Sequence, residues 1–147
     1  TGQLQCASQD RLPAARSGVR LYRSVLPKGI STLEFVRLLR EGAHIALLAD
    51  ISWLGGVRLP FMGHECTNTT GPAVLSILAS VPIVPVGIYR LAPFKHRVRF
   101  FPPLPLPEER NRLRRAELLT LAVNRALEEI IAPRPELWFW MHNRWKT

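Results

Sequence analysis

The order of hydrophobic and polar positions predicts alternating strands and helices along this chain. Val19 to Tyr22 alternates apolar and basic side chains, which predicts a short, half-exposed strand. A capping-box pattern at Ser31 precedes an apolar stripe of helical spacing from Thr32 to Glu41, and Gly42 follows where a C-terminal cap belongs. Ala43 to Ala49 is an almost unbroken apolar run, which is typical of a strand buried on both faces of a parallel sheet. Together these elements predict a strand–helix–strand unit.

The second half of the chain continues this alternation. Val57 to Phe61 predicts a short extended segment, and residues 71–79 predict a deeply packed apolar helix that starts at a Gly-Pro pair. Pro82 to Ile88 predicts a buried strand, and His96 to Phe100 predicts a strand with one solvated face. A Pro-rich connector then leads to a long amphipathic helix with apolar positions Ala116, Leu119, Val123, Ala126, Leu127 and Ile130. We therefore predict an α/β fold with a mixed, largely parallel sheet flanked by helices.

The length of 147 residues allows one domain with a hydrophobic core, and 47% of the residues are hydrophobic. Residues 1–15 are polar and lack periodicity, which predicts a disordered end or the remnant of an upstream element. The longest uncharged run, Cys66 to Tyr89, is interrupted by Pro82 and Pro85. It therefore predicts a buried helix followed by a buried strand rather than a membrane span.

The charge of the chain predicts an affinity for phosphate. Lys and Arg number 20 against 11 Asp and Glu, which gives a formal net charge of +9. Most of the cations are arginines, which favour bidentate recognition of nucleic acid, anionic lipid or a phosphorylated substrate. The sequence has no groove-reading motif and no long basic tail, so a nucleic-acid-binding module is the less favoured alternative.

Candidate chemistry is concentrated after the apolar run. Asp50 ends that run, and the carboxyl ends of strands in open α/β sheets are where ligand-binding groups gather, although an acid there can also merely cap a turn. Residues 67–71 place hydroxyls and free N–H groups at a helix start, which predicts either an anion site or ordinary capping. No histidine pair has the spacing of zinc ligands, so we predict no metal site.

Five sequence blocks occur together in one order. They are Leu47 to Asp50, Val57 to Gly63, Thr69 to Ala73, Val81 to Arg90, and Pro135 to Lys146. In this order and spacing the chain resembles the lipid A biosynthesis acyltransferases, the late lauroyl and myristoyl transferases of the lysophospholipid acyltransferase superfamily. The resemblance covers about Arg16 to Lys146. Ile51 stands where that family usually has Gln, which removes one polar contact.

The resemblance implies transfer of a fatty acyl group from acyl carrier protein, or from acyl-CoA, to a hydroxyl of a glycolipid, without a further cofactor. In that family a His-x4-Asp/Glu motif supplies the general base. This sequence contains no such motif, since Asp50 follows His44 one position too late. We therefore expect residues 16–147 to be the C-terminal part of a single acyltransferase domain. The base and a membrane helix would precede Thr1, at the cytoplasmic face of the bacterial inner membrane.

The resemblance also implies roles for individual residues. Asp50 would be the supporting acid of the catalytic histidine, and Arg16 and Arg90 would meet phosphate or carboxylate groups. The other predicted substrate-binding residues are Thr69, Thr70, Gly71, Phe61 and Gly63. The expected partners are acyl carrier protein, the glycolipid acceptor and the inner-membrane surface, and no nucleic acid.

Three further points stay open at this stage. The aromatic C-terminal segment could form a lipid-facing belt or close over the core, and core is favoured. The acceptor could be another glycolipid such as a phosphatidylinositol mannoside. The chain could instead be a non-catalytic basic module that binds membranes or nucleic acid.

Overall fold

The computed structural model describes residues 31–145, with the backbone alone for residues 52–54. The predicted strand at Val19 to Tyr22 and the predicted site residue Arg16 lie outside the described residues. The regular elements, in chain order, are α1 (Thr32–Arg40), β1 (Ser52–Phe61), β2 (His64–Asn68), α2 (Gly71–Ala79), β3 (Val86–Ala92), β4 (Lys95–Phe100), α3 (Arg112–Ile131) and a 3-10 turn at Pro135–Leu137. None of the helices within residues 31–145 combines the length and apolarity needed to span a membrane.

Within the described part of the chain, the strands form two separate antiparallel hairpins. In the first, β1 pairs with β2 through a two-residue turn at Met62 and Gly63. Both turn residues have positive φ, 49° and 78°, which is the type I′ geometry that matches the twist of a hairpin. In the second, β3 pairs with β4. Helices and strands are mixed, as an α/β class requires, but the strand pairs among the described residues are antiparallel, so a largely parallel sheet is not observed.

The predicted strand from Ala43 to Ala49 is irregular in the structure. Its Leu48 side chain is 79% exposed, so the run is not buried on both faces. An apolar run becomes a strand only when a neighbouring backbone pairs with it, and no described segment does so here. Apolarity alone therefore overpredicted this element.

The predicted strand from Pro82 to Ile88 begins later, at Val86, and its exposed apolar side chains show that it is not buried. Before that point Ile83 makes only an isolated bridge to Leu104. Pro82 and Pro85 have no N–H group to donate, so a continuous ladder cannot form across them.

The predicted helices are confirmed. α1 ends in a Schellman motif, in which the N–H of Ala43 donates to the carbonyl of Leu38 and that of Gly42 donates to Leu39. α3 begins where the side chain of Asn111 accepts from two backbone N–H groups. α3 is the central element, because it packs against both α2 and β1.

Among the described residues, two hydrophobic clusters form the core, one near each end of α3. The first contains Phe61, Cys66 and Ile131, with Met62, Leu127, Trp138 and Trp145 packed around it. The second contains Ala73, Ala116 and Leu119, with Val74, Ile77, Ile83, Leu104 and Leu106. The first cluster brings Trp138 and Trp145 against the first hairpin, whereas Phe139 and Trp140 are exposed.

Candidate functional site

A buried arginine joins three separate segments of the chain. The side chain of Arg144 is completely buried. Its Nη2 donates to Oδ1 of Asn68 and to Oδ1 of Asn124, each at 2.9 Å, and its Nη1 donates to the carbonyl of Ala49 at 3.2 Å. Asn68 ends β2 and Asn124 lies in the middle of α3. One guanidinium therefore ties the C-terminal segment to the first hairpin, to α3 and to the residue before Asp50.

The guanidinium of Arg144 also lies over an aromatic ring. Its Cζ is 4.0 Å from the centroid of Phe61, a cation–π distance. The ring of Phe61 in turn contacts those of Trp138 and Trp145, with centroids 5.7 Å and 6.0 Å away. Indole Nε1 of Trp145 donates to the carbonyl of Phe61 at 3.2 Å. Phe61 is fully buried, so the role that the structure gives this predicted substrate-binding residue is packing.

The charge of Arg144 has no ion-pair partner among the residues that the structure describes. Burial lowers its pKa, while Cys66, Asp50 and Glu128 act in the opposite direction. No carboxylate among the described residues lies within salt-bridge distance of it, and its Nε has no described hydrogen-bond partner. Amide oxygens and an aromatic face therefore supply most of its compensation. Loss of part of this network would lower the stability of the fold, because each lost acceptor leaves a buried charge with one hydrogen bond fewer.

Asp50 follows the anchored residue Ala49 and is half-buried. The hydrogen bond from Arg144 to the Ala49 carbonyl holds the backbone one residue away from this carboxylate. Asp50 lines an open groove of about 230 Å³ between residues 47–50, β3, the end of α3 and the 3-10 turn. The sequence-predicted acid thus lies on a concave surface.

The groove has mostly apolar walls. Its other lining residues are Leu47, Leu48, Ala49, Val86, Gly87, Ile88, Tyr89, Leu127, Ile130, Ile131, Arg134, Leu137 and Trp138. The hydroxyl of Tyr89 donates to the carbonyl of Ile130 at 2.9 Å and fixes β3 against α3. The composition of the groove is that of a site for an apolar ligand with a few polar groups at its edge.

The other predicted site residues that lie within the described part of the chain do not line this groove. Thr69 Oγ1 accepts a hydrogen bond from the N–H of Gly71 at 3.3 Å, and Thr70 is the N-cap residue of α2 without a side-chain capping bond. Gly63 provides the second positive-φ position of the first hairpin turn. Arg90 is an exposed residue of β3, paired across the hairpin with His96. Their roles in substrate binding stay predictions.

The histidines of the described residues lie away from the groove. His44, His64 and His96 are exposed, His142 is half-buried, and none of them lines the groove with Asp50. Within residues 31–145, no group of three His, Cys, Asp or Glu side chains is placed to hold a metal ion.

Sequence reasoning missed the polar network around Arg144. One signal was available, because Asn124 and Thr120 interrupt the apolar stripe of α3 on the face that becomes buried. A second missed residue is Glu128, whose Oε1 accepts from the N–H of Met62 at 2.5 Å and fixes the first hairpin turn on α3. A polar residue within a predicted core stripe needs a buried hydrogen-bond partner, but the stripe does not show which residue that partner is.

The family model described as bacterial lipid A biosynthesis acyltransferase matches residues 16–147. The chain belongs to this family. The match includes the Arg144 network, Asp50 and the whole groove, and it confirms the resemblance seen in the five sequence blocks. Comparisons with curated proteins and with solved structures found no match.

Proposed function

We propose that this chain forms part of an acyltransferase that moves a fatty acyl group from acyl carrier protein or acyl-CoA to a hydroxyl of a lipid A precursor or related glycolipid. Family membership supports acyl transfer in lipid A biosynthesis. The observation that carries the site is the mostly apolar groove that Asp50 lines. Such a groove suits the hydrocarbon of an acyl chain and leaves the acid beside the polar end where the chemistry takes place.

The reaction needs a base beside Asp50. The acceptor hydroxyl attacks the thioester carbonyl and loses its proton to an imidazole, the C–S bond breaks, and the leaving thiolate is then protonated by the imidazolium. Asp50 would orient that imidazole and stabilise its charged form. In this proposal the histidine belongs to a His-x4-Asp/Glu segment outside the given sequence. Arg144 would act through the Ala49 carbonyl, as a positioning residue for Asp50.

The proposal places the reaction at the cytoplasmic face of the bacterial inner membrane, where a soluble acyl donor can meet a membrane-embedded glycolipid. The acyl carrier protein, the glycolipid and the membrane surface are then the partners. The excess of basic residues supports this, because donor, acceptor and bilayer surface are all anionic.

The test is acyl transfer by the full-length enzyme that contains this chain. Purified enzyme is incubated with acyl carrier protein thioester and a lipid A precursor, and the new ester is detected by mass spectrometry. Asp50→Asn should lower kcat by roughly 10²- to 10⁴-fold, as expected for loss of acid–base support. Glu129→Gln, which removes an exposed carboxylate of α3, is the matched control and should leave kcat unchanged.

Two results would contradict the proposal. Full-length enzyme that acylates no glycolipid acceptor, with phosphatidylinositol mannosides included in the panel, would rule out the reaction. Rapid turnover by the 147-residue chain alone would rule out a histidine supplied from outside it.

A further inference from the structure

The second hairpin presents apolar side chains to solvent. Every residue from Leu91 to Phe100 is exposed. Phe94, at the turn, is fully exposed, and Ile88, Val98 and Phe100 are 65%, 52% and 72% exposed. Exposed apolar side chains that cluster in this way mark an interaction surface.

These apolar residues lie in a segment without acids. From Val81 to Pro107 the sequence has no Asp or Glu, while the hairpin carries Arg90, Lys95, Arg97, Arg99 and His96. None of these cations makes an ion pair with a described residue. Arg99 instead lies over the ring of Phe101, at 4.7 Å from its centroid. The positive charge of the hairpin is therefore available to an anionic partner.

The hairpin is anchored at its base and strained at its tip. The Tyr89 hydroxyl bonds to Ile130, and the N–H of Phe101 donates to the carbonyl of Pro85 at 3.0 Å. At the tip Phe94 has a φ of 59°, a left-handed conformation that is unfavourable for a bulky side chain. A bulky aromatic at a position better suited to Asn or Gly is an outlier of the kind that accompanies function.

We propose that the β3–β4 hairpin docks on an anionic lipid bilayer, with Phe94 inserted among the headgroups and the neighbouring cations bound to lipid phosphates. An apolar wedge ringed by basic side chains is the signature of an interfacial anchor. Val86 and Ile88 belong both to the apolar face of the hairpin and to the groove wall. Docking there brings the groove next to the lipid phase. The purpose of this docking rests on the proposed function, whereas the binding of the hairpin to lipid does not depend on it.

The hairpin suits a bilayer better than a protein partner. Protein interfaces concentrate their energy where a side chain fills a fully desolvated pocket. Here the apolar side chains lie along one face of the hairpin and project at its tip. Because all residues of β4 are exposed, this strand offers no pocket that a partner's side chain could fill. An acidic protein such as acyl carrier protein is the competing occupant, and the experiment separates the two.

The test is sedimentation of the 147-residue chain with phosphatidylcholine vesicles, with and without phosphatidylglycerol. The unsubstituted chain should bind only the vesicles that contain the anionic lipid. Phe94→Asn removes the ring, and Asn tolerates left-handed φ, so the hairpin should persist. This variant should bind about tenfold more weakly, as expected for partial loss of a buried Phe. Lys95→Glu with Arg97→Glu should weaken binding by roughly tenfold or more.

Matched controls lie on α3 and just before it. Leu113→Gln removes another exposed apolar side chain, 79% exposed. Arg110→Glu with Arg112→Glu changes the net charge as much as the hairpin charge variant does. Both controls should bind vesicles as the unsubstituted chain does, and circular dichroism should be the same for every variant.

Three results would overturn the proposal. The first is unchanged vesicle binding by the hairpin variants, and the second is equal loss in the control variants. The third is loss of binding to acyl carrier protein while vesicle binding persists, which would assign the hairpin to a protein partner. Failure of acyl transfer by the full-length enzyme in detergent would count against the proposed function but would leave the vesicle result standing.

Discussion

The two hairpins have the same antiparallel design but opposite environments. The first places Phe61, Cys66 and Asn68 in the interior, where Arg144 and α3 cover them. The second leaves all of β4 exposed. Each turn contains a bulky residue with positive φ, Met62 or Phe94. The Met62 amide is bound by Glu128, whereas the Phe94 side chain projects fully into solvent. The two turns differ, because Met62 and Gly63 both have positive φ whereas in the second turn only Phe94 does, and one turn is an interior anchor while the other is an outward-facing surface.

The largest expected effect is on the buried side of this comparison. Arg144→Ala removes three hydrogen bonds and a cation–π contact, and it leaves two amide oxygens and a carbonyl without their donor. We expect a loss of about 3 to 5 kcal/mol in the free energy of unfolding, from unsatisfied polar groups and the cavity combined. Urea unfolding followed by circular dichroism measures it. Arg125→Ala, at an exposed site on α3, is the control and should change stability by less than about 0.5 kcal/mol. Equal stability of the two variants would remove the basis for calling Arg144 a structural link.

The next effect concerns one acceptor of the same network. Asn124→Ala removes an oxygen that binds Arg144 and an amide that donates to the carbonyl of Pro60 at 3.0 Å. We expect a loss of about 2 to 3 kcal/mol, because a hydrogen bond to a buried charge is lost together with a bond to the first hairpin. Combining this change with Arg144→Ala should cost less than the two single effects added, since both act on one network. Simple additivity in the unfolding free energies would contradict that coupling.

A smaller effect of opposite sign is expected in the exposed hairpin. Phe94→Asn removes an aromatic side chain that packs against little and replaces it with a residue that tolerates left-handed φ. Thermal unfolding should therefore show a gain of about 0.5 to 1 kcal/mol, even though vesicle binding falls. A marked loss of stability would mean that Phe94 has a packing role, and the contrast between the hairpins would weaken.

The smallest effect is an acid-dependent one at the surface of the C-terminal segment. The hydrogen bond from Arg134 holds the pKa of the exposed Glu136 below its ordinary value of 4.5. A carboxyl with a lowered folded-state pKa stabilises the fold above its unfolded pKa, and that contribution is lost as pH falls through the folded value. Glu136→Gln should therefore lower the stability slightly at neutral pH, and the difference from the unsubstituted chain should disappear as the pH falls below about 4.5. Unfolding curves across that range would show it, and a change at pH 7 as large as that of Asn124→Ala would be inconsistent with a surface pair.

Local features of the sequence predicted the helices and the family well. The capping pattern before Thr32, the Gly-Pro start of α2 and the periodicity of α3 each depend on residues within one or two turns. The sequence also singled out Asp50, as an acid in a recognised block; this residue lines the groove, and its catalytic role stays a prediction. The strands were less predictable. The run from Ala43 to Ala49 has the composition of a strand but no described partner.

By itself, the sequence determined the helices, the net charge, the absence of a His-x4-Asp/Glu motif and the family, since these follow from residue order and short-range spacing. The tertiary structure alone decided that Arg144 joins Asn68, Asn124 and Ala49, and that one hairpin is covered while the other is exposed. Contacts between residues far apart in the chain depend on how α3 and the C-terminal segment pack, and no local pattern encodes that packing. The physical reason is that burial is a property of the assembled fold, so the same hairpin motif serves as core or as surface according to what lies against it.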